Sequence, residues 1–141
     1  MSQVANREWS LAAAWTLSLV ASLTVVFIGE VLGQSPCTLC WFQRAFMFPL
    51  VIILGLGLWW GDPGIGRYGM VLALGGCAVA LWHLGLYLEI VPEDIEPCSA
   101  SGPSCTGEGQ DLFGVPLPLL SLLAFALVAT LLAASLKGKG G

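Results

Sequence analysis

Four long runs without a charged side chain limit what this sequence can fold into. They fall at residues 10–29, 45–61, 68–88 and 112–136. Each run is close to the roughly 20 residues that a helix needs to cross about 30 Å of hydrocarbon. The sequence therefore predicts four transmembrane helices, which we place at about 11–32, 40–60, 68–90 and 115–136.

The composition agrees with a membrane protein. Hydrophobic residues make up 57% of the chain and charged residues only 10%, with a mean hydropathy of +0.86. An ordinary soluble domain of this length carries far more charge. Because no repeat or linker divides residues 1–141, we expect a single all-α membrane domain. It would be a four-helix bundle with a short outer loop at 33–39 and a longer one at 91–114, each carrying a cysteine pair.

The distribution of basic residues predicts the orientation. Four of the five lie on the side of the predicted bundle that holds both termini, namely Arg7, Arg67, Lys137 and Lys139. Lysine and arginine collect on the cytoplasmic side of membrane proteins, so we expect cytoplasmic termini. The two outer loops then face a compartment in which disulfides persist. These loops contain Cys37, Cys40, Cys98 and Cys105.

The segment Cys37-Thr38-Leu39-Cys40-Trp41-Phe42-Gln43-Arg44 is typical of redox chemistry at a membrane surface. Pro36 is suited to opening a helix at this point. A helix N-terminus and a nearby cation both favour the thiolate, which is the form of cysteine that attacks disulfides. Arg44 follows Cys40 by four residues, so both side chains should share one face of the helix.

The longer outer loop holds the second cysteine pair. Cys98 and Cys105 lie in an acidic segment bounded by prolines, which we expect to present Cys98 to a soluble protein. The fifth cysteine, Cys77, falls in the middle of the third predicted helix, where a small packing residue is the expected role. The net charge of −4 and the lack of a basic patch argue against a nucleic-acid partner.

Three features together resemble the membrane thiol oxidases of disulfide bond formation protein B type, especially the short BdbC-like branch. They are the pattern C-x-L-C-W-x-Q-R at 37–44, the two-cysteine outer loop, and Phe113-Gly114-Val115-Pro116-Leu117-Pro118 before the last helix. The resemblance covers nearly the whole chain. It implies a protein of the bacterial inner membrane that reoxidises a soluble, extracytoplasmic DsbA-like thiol oxidoreductase. The electrons would pass to ubiquinone or menaquinone, and no metal would be required.

The resemblance also implies roles for the four outer cysteines. The partner thiolate would attack Cys98, and Cys105 would then attack Cys37. Cys40 would leave as a thiolate of low pKa beside the quinone ring. The six residues between Cys98 and Cys105 are fewer than in the best-known members, which limits how far Cys105 can travel toward Cys37.

Two ionisable residues within the predicted helices are candidates for quinone binding. Arg44 would supply the positive charge that a quinone oxygen needs where water is scarce, although an arginine anchored at the membrane interface is the alternative. His83 lies inside the third predicted helix at a comparable depth, and an ionisable residue there is a functional candidate. Its alternative role is a hydrogen bond to another helix.

Three other functions are compatible with parts of this pattern. The cysteine pairs could simply staple the outer loops of a non-enzymatic membrane protein. Four cysteines on one side of the membrane could also form a tetrathiolate zinc site, although an oxidising compartment argues against it. Finally, the same architecture could run as a quinol-driven reductase, as in vitamin K epoxide reductase, because relative potentials set the direction.

Overall fold

The computed structural model describes residues 2–33, 37–90, 111–112 and 114–137. Four helices within these ranges are long and apolar enough to cross a membrane, which confirms the predicted fold class. They are α1 (Ser2–Glu30), α2 (Thr38–Trp60), α3 (Gly66–Tyr87) and α4 (Leu117–Lys137). Each packs against its two neighbours, in the order α1, α2, α3, α4 and back to α1.

The helix ends differ from the predicted ones, most of all in α1. This helix begins at Ser2 rather than near residue 11, and its first turns carry Arg7 and Glu8. The charged residues exclude this part from the hydrocarbon but do not interrupt the helix, so the apolar run marked only the membrane-embedded portion. The last helix begins at Leu117, because Val115–Pro116 pairs as a short antiparallel strand with Asp111–Leu112.

The connection between α2 and α3 is a tight turn. Gly61 ends α2 in the left-handed conformation, with φ of 65°, and its backbone N–H bonds back to the helix. The Asp62 carboxylate accepts a hydrogen bond from the Gly64 backbone N–H at 2.9 Å. A short 3-10 helix at Pro63–Ile65 then leads directly into α3.

The buried faces of α2 and α3 line the interior of the bundle, and we call these two faces together the α2–α3 seam. Its members recur every three or four residues, which is the spacing of one helix face. From α2 it contains Leu39, Gln43, Met47, Leu50, Leu54 and Gly57. From α3 it contains Gly66, Gly69, Ala73, Gly76, Ala80, His83 and Leu86.

Small residues let the helices approach closely in the middle of this seam. A Cβ atom added at Gly76 would clash with the ring of Phe125, and one at Gly69 would lie 2.8 Å from Leu54. Phe125 of α4 is itself 1% exposed. Transmembrane helices associate through this kind of close backbone packing, because lipid supplies no hydrophobic driving force between them. The middle of the bundle therefore depends on glycine for its shape.

Candidate functional site

The first cysteine of the C-x-x-C pair caps α2. Cys37 has extended backbone angles and directly precedes the helix, and its sulfur accepts a hydrogen bond from the Cys40 backbone N–H at 3.3 Å. This N–H is one of the donors that a helix start leaves without a backbone partner. The structure thus places the sulfur at a helix N-terminus, where the dipole favours negative charge.

The two sulfurs of the pair lie 2.9 Å apart. This separation is within hydrogen-bonding distance, so little movement is needed to reach the roughly 2.05 Å of a disulfide bond. Cys37 is fully buried, whereas Cys40 is partly exposed. The pair is therefore arranged for making and breaking a disulfide, with its two sulfurs in different surroundings.

A buried imidazole from α3 faces the Cys37 sulfur. Nε2 of His83 lies 3.8 Å from Sγ of Cys37, and His83 is 0% exposed. On its other side, Nδ1 of His83 lies 2.9 Å from the side-chain amide nitrogen of Gln43. His83, predicted as a quinone-binding candidate, therefore contacts the Cys37 sulfur and a neighbouring helix.

These donors lower the pKa of the Cys37 thiol well below its usual value. The largest cause is the side-chain hydrogen bond from Cys40, followed among the lowering causes by the hydrogen bond with His83, while burial of the sulfur opposes them. From the sequence, the thiolate of low pKa was expected on Cys40 instead. The structure directs the helix N–H and the imidazole to Cys37, which a spacing argument within one helix did not reveal.

Arg44 lies one turn after Cys40, on the side of α2 that faces α1. Its Nη2 donates a hydrogen bond to the Val25 backbone carbonyl of α1 at 2.9 Å. The guanidinium lies 5.2 Å from the ring centre of Trp41, in cation–π geometry. Its charge also acts on the Cys40 sulfur. Arg44 thus links α2 to α1 and also lies beside the redox pair.

Gln43 is the residue of this site that the sequence analysis gave no role. It occurs in the quoted motif, and its position on the buried face of α2 could have indicated a role. Counting in steps of three or four from Leu39 through Met47 places an amide on an otherwise apolar helix face. A buried amide requires a hydrogen-bond partner. His83 lies on the matching face of α3, in the series Gly76, Ala80, His83.

Other residues considered from the sequence lie outside this site or outside the described ranges. Cys98 and Cys105 fall outside the described residues, as does Pro36. Cys77 is partly buried and packs against the apolar core. Trp82 lines an apolar groove between α2 and α3, together with Leu39, Phe42, Ala78 and Val79. Two residues of this groove, Leu39 and Val79, also pack in the small apolar cluster that contains Cys37 and Cys40.

A metal is a second kind of ligand to consider for this cluster. The ligand atoms of Cys37, Cys40 and His83 all lie within 4.8 Å of one another. Two thiolates on one tetrahedral zinc ion, with bonds of about 2.3 Å, would be about 3.8 Å apart. The observed sulfur separation of 2.9 Å is shorter than this zinc-bound spacing. A tetrathiolate would also need Cys98 and Cys105, which lie outside the described residues.

Comparison with known proteins gives one family over nearly the whole chain. The family model for disulfide bond formation protein DsbB matches residues 6–135. A probable disulfide formation protein of Metapseudomonas resinovorans is 48% identical over 132 residues, covering 92% of each chain. Disulfide bond formation protein C of Bacillus subtilis is 39% identical over 127 residues, covering 87% of this chain and 89% of that protein. No solved structure matches significantly. These matches confirm the resemblance drawn from the motifs.

Proposed function

Because the chain belongs to the DsbB family of membrane proteins for disulfide bond formation, we propose that it is a thiol:quinone oxidoreductase. It would reoxidise a soluble, extracytoplasmic DsbA-like dithiol protein and pass two electrons to ubiquinone or menaquinone in the membrane. The observation that carries this proposal is the sulfur pair at the start of α2, 2.9 Å apart and surrounded by hydrogen-bond donors. A structural staple has no need of groups that stabilise its reduced form.

The thiol exchange steps balance without a further reactant. The partner thiolate attacks Cys98, which forms a mixed disulfide and releases Cys105 as a thiolate. Cys105 then attacks Cys37, so that a Cys37–Cys105 bond forms and the electron pair of the broken bond stays on Cys40. The second thiolate of the partner attacks the partner sulfur of the mixed disulfide, which forms the partner's disulfide and releases Cys98 as a thiolate. Since Cys37 is fully buried, this attack requires the outer end of the bundle to open. The rate of such exchange depends on access as well as on thiolate fraction.

The residues beside Cys40 fit a quinone. The quinone would supply a two-electron acceptor whose ring oxygens gain negative charge. Arg44 would hold one of these oxygens, since a guanidinium is a strong donor to an oxyanion where water is scarce. It is one helical turn from Cys40, and the Trp41 ring beneath it adds an apolar surface. Cys40 is the more exposed of the two residues and lies beside Arg44, so electrons would leave the pair through Cys40.

The proposed orientation has both termini in the cytoplasm and the redox pair near the outer face of the bacterial inner membrane. Support comes from the inner end of the bundle, where Arg7 Nε donates a hydrogen bond to the Ser135 backbone carbonyl at 2.8 Å. This bond brings the first and last helices together at the end where Arg67 and Lys137 also lie. Reporter fusions at the C-terminus would test the orientation, because a reporter active only in the cytoplasm should be active there.

An anaerobic assay tests the proposed function. Purified protein is mixed with a reduced thioredoxin-like dithiol protein and a soluble quinone analogue, and quinone absorbance and thiol loss are followed together. We expect one quinone reduced for each dithiol oxidised, with the Cys40→Ser variant as the inactive control. Thiol loss without quinone reduction would contradict quinone as acceptor, and no change in either would favour stapled loops. Starting from quinol and oxidised partner would reveal a reductase.

A further inference from the structure

A polar pair from two helices is buried at the end of the α2–α3 seam beside Cys37, which we call the outer end. Gln43 is 7% exposed and His83 is 0% exposed, and Nε2 of Gln43 lies 2.9 Å from Nδ1 of His83. A buried polar group without a hydrogen bond costs about 1–3 kcal/mol, so each of these side chains needs the other. Packing alone would be served at least as well by two apolar side chains.

The chemistry of the amide fixes the direction of this hydrogen bond. The side-chain nitrogen of glutamine only donates, so Nδ1 of His83 must accept. In a neutral imidazole the proton then lies on Nε2. Nε2 is the nitrogen that faces the Cys37 sulfur at 3.8 Å. Gln43 therefore selects the tautomer in which His83 donates toward that sulfur.

The groups around the Cys37 sulfur come from two helices. Cys40 contributes its backbone N–H at 3.3 Å and its side chain at 2.9 Å, both from α2. The contribution from α3 is the imidazole of His83. Among the described residues, Cys40 and His83 are thus the titratable groups that face Cys37, and Arg44 acts on Cys40. Changing Gln43 leaves the α2 donors in place.

We infer that Gln43 is a positioning residue, which holds His83 with its Nε2–H toward Cys37 and so places the negative charge of the reduced pair on Cys37. The consequence for turnover rests on the proposed function. When the Cys98 thiolate attacks Cys105 in the Cys37–Cys105 disulfide, the Cys98–Cys105 bond forms and the electron pair stays on Cys37. A stabilised thiolate leaves faster in such an exchange. Gln43 would thereby promote release of the reoxidised outer-loop pair.

A titration of Cys37 alone tests this inference. The background carries Cys40→Ser, Cys77→Ala, Cys98→Ser and Cys105→Ser, which leaves Cys37 as the single thiol and keeps a hydroxyl donor at position 40. The thiolate is followed by its ultraviolet absorbance, which does not depend on access, and by the rate of alkylation. We expect Gln43→Met to raise the titration midpoint by about one pH unit, a tenfold loss of thiolate at a given pH. Phe42→Leu, a neighbour that is 50% exposed, is the matched control without a shift.

The double variant separates positioning from a general structural effect. We expect His83→Phe to raise the midpoint at least as much as Gln43→Met, and the double variant Gln43→Met/His83→Phe to match His83→Phe. The double variant also leaves neither polar partner buried alone, so it should fold even if a single variant does not. An unchanged midpoint in folded Gln43→Met would overturn the inference, as would a further shift from Gln43→Met when His83 is already replaced.

The titration uses neither quinone nor partner, so its result is independent of the proposed function. The expected shifts in a protein without quinone turnover would support the placement of charge on Cys37 while refuting the oxidase. Normal turnover with no shift in any variant would refute the role of Gln43 and leave the oxidase in place.

Discussion

The middle and the outer end of the α2–α3 seam use the same helix faces in different ways. In the middle, Gly69 and Gly76 leave no room for a side chain, and leucine and phenylalanine fill the space from neighbouring helices. At the outer end the same face of α3 presents His83, and that of α2 presents Gln43. The middle is held by shape alone, whereas the outer end is held by hydrogen bonds that also reach a reactive sulfur.

This difference predicts two kinds of sensitivity to substitution. Close-packed interiors respond to changes of volume, because added atoms force neighbours out of their preferred positions. A buried polar site responds to the loss of one donor even when volume is kept, because the remaining partner is left without a hydrogen bond. Substitutions in the middle should therefore change stability without changing the chemistry of the cysteines, whereas conservative substitutions at the outer end should change that chemistry.

The largest expected effect is the loss of turnover when a redox sulfur is removed. Cys40→Ser should reduce quinone-linked dithiol oxidation to the uncatalysed background, because a hydroxyl cannot form the disulfide that accepts electrons. The matched control is Cys77→Ala, a cysteine that packs against the apolar core. It should retain the wild-type rate within experimental error. Full turnover by Cys40→Ser in the anaerobic assay would refute the proposed chemistry.

Added volume in the middle of the seam should give the second largest effect. Gly76→Ala places a methyl group against Phe125, since an added Cβ would clash with its ring. Overpacking of this kind costs about 1–3 kcal/mol, measured as the free energy of unfolding in mixed detergent micelles. The Cys37 titration should not change. Leu74→Ala, on the exposed face of α3, is the control.

A second substitution checks the cause. Gly76→Ala combined with Phe125→Leu should recover part of the lost stability, because the smaller side chain vacates the space that the methyl group needs. Residues in contact show such coupling, whereas distant ones add independently. Strictly additive losses would show that the two side chains do not compete for the same space.

The sequence predicted the middle of the molecule better than its outer end. Four apolar runs of membrane length are enough to indicate four helices, and the C-x-x-C pattern marks Cys37 and Cys40 as a pair. The partner of Cys37 could not be predicted in the same way, because His83 is 46 residues away and reaches it only through the packing of α3 on α2. Local spacing favoured Arg44 as the group nearest the thiolate. The tertiary contact instead placed an imidazole at the other sulfur.

The next effect concerns Arg44 and quinone. Arg44→Ala should raise the apparent Michaelis constant for quinone about tenfold, because a charge-assisted hydrogen bond contributes about 1.5–3 kcal/mol. Arg44→Lys should be intermediate, since it keeps the charge but not the planar pair of donors. Steady-state rates over a range of quinone concentrations measure both. Unchanged quinone kinetics with lower stability would make Arg44 an anchor for α1 through the Val25 carbonyl.

A pH dependence of stability belongs to the outer end alone. The pKa of Cys37 is lowered in the folded protein by the Cys40 hydrogen bond and by His83, while an unfolded thiol titrates near pH 8.5. The resulting stabilisation is fully present above the unfolded value and is lost as the pH falls through the folded value. Between these limits, the unfolding free energy of reduced protein should rise with pH by up to about 1.4 kcal/mol per unit.

Unfolding of the reduced protein at several pH values below 8.5, about the value for an unfolded thiol, measures this slope. Cys37→Ser should lack the slope, because the titrating group is gone. Gly76→Ala should lower the whole curve and keep the slope, since its clash with Phe125 involves no titratable group. Parallel curves for wild type and Cys37→Ser would show that Cys37 carries no stabilised charge. A slope that disappeared in Gly76→Ala would mean that packing in the middle of the seam also positions His83, two turns further along the same face of α3.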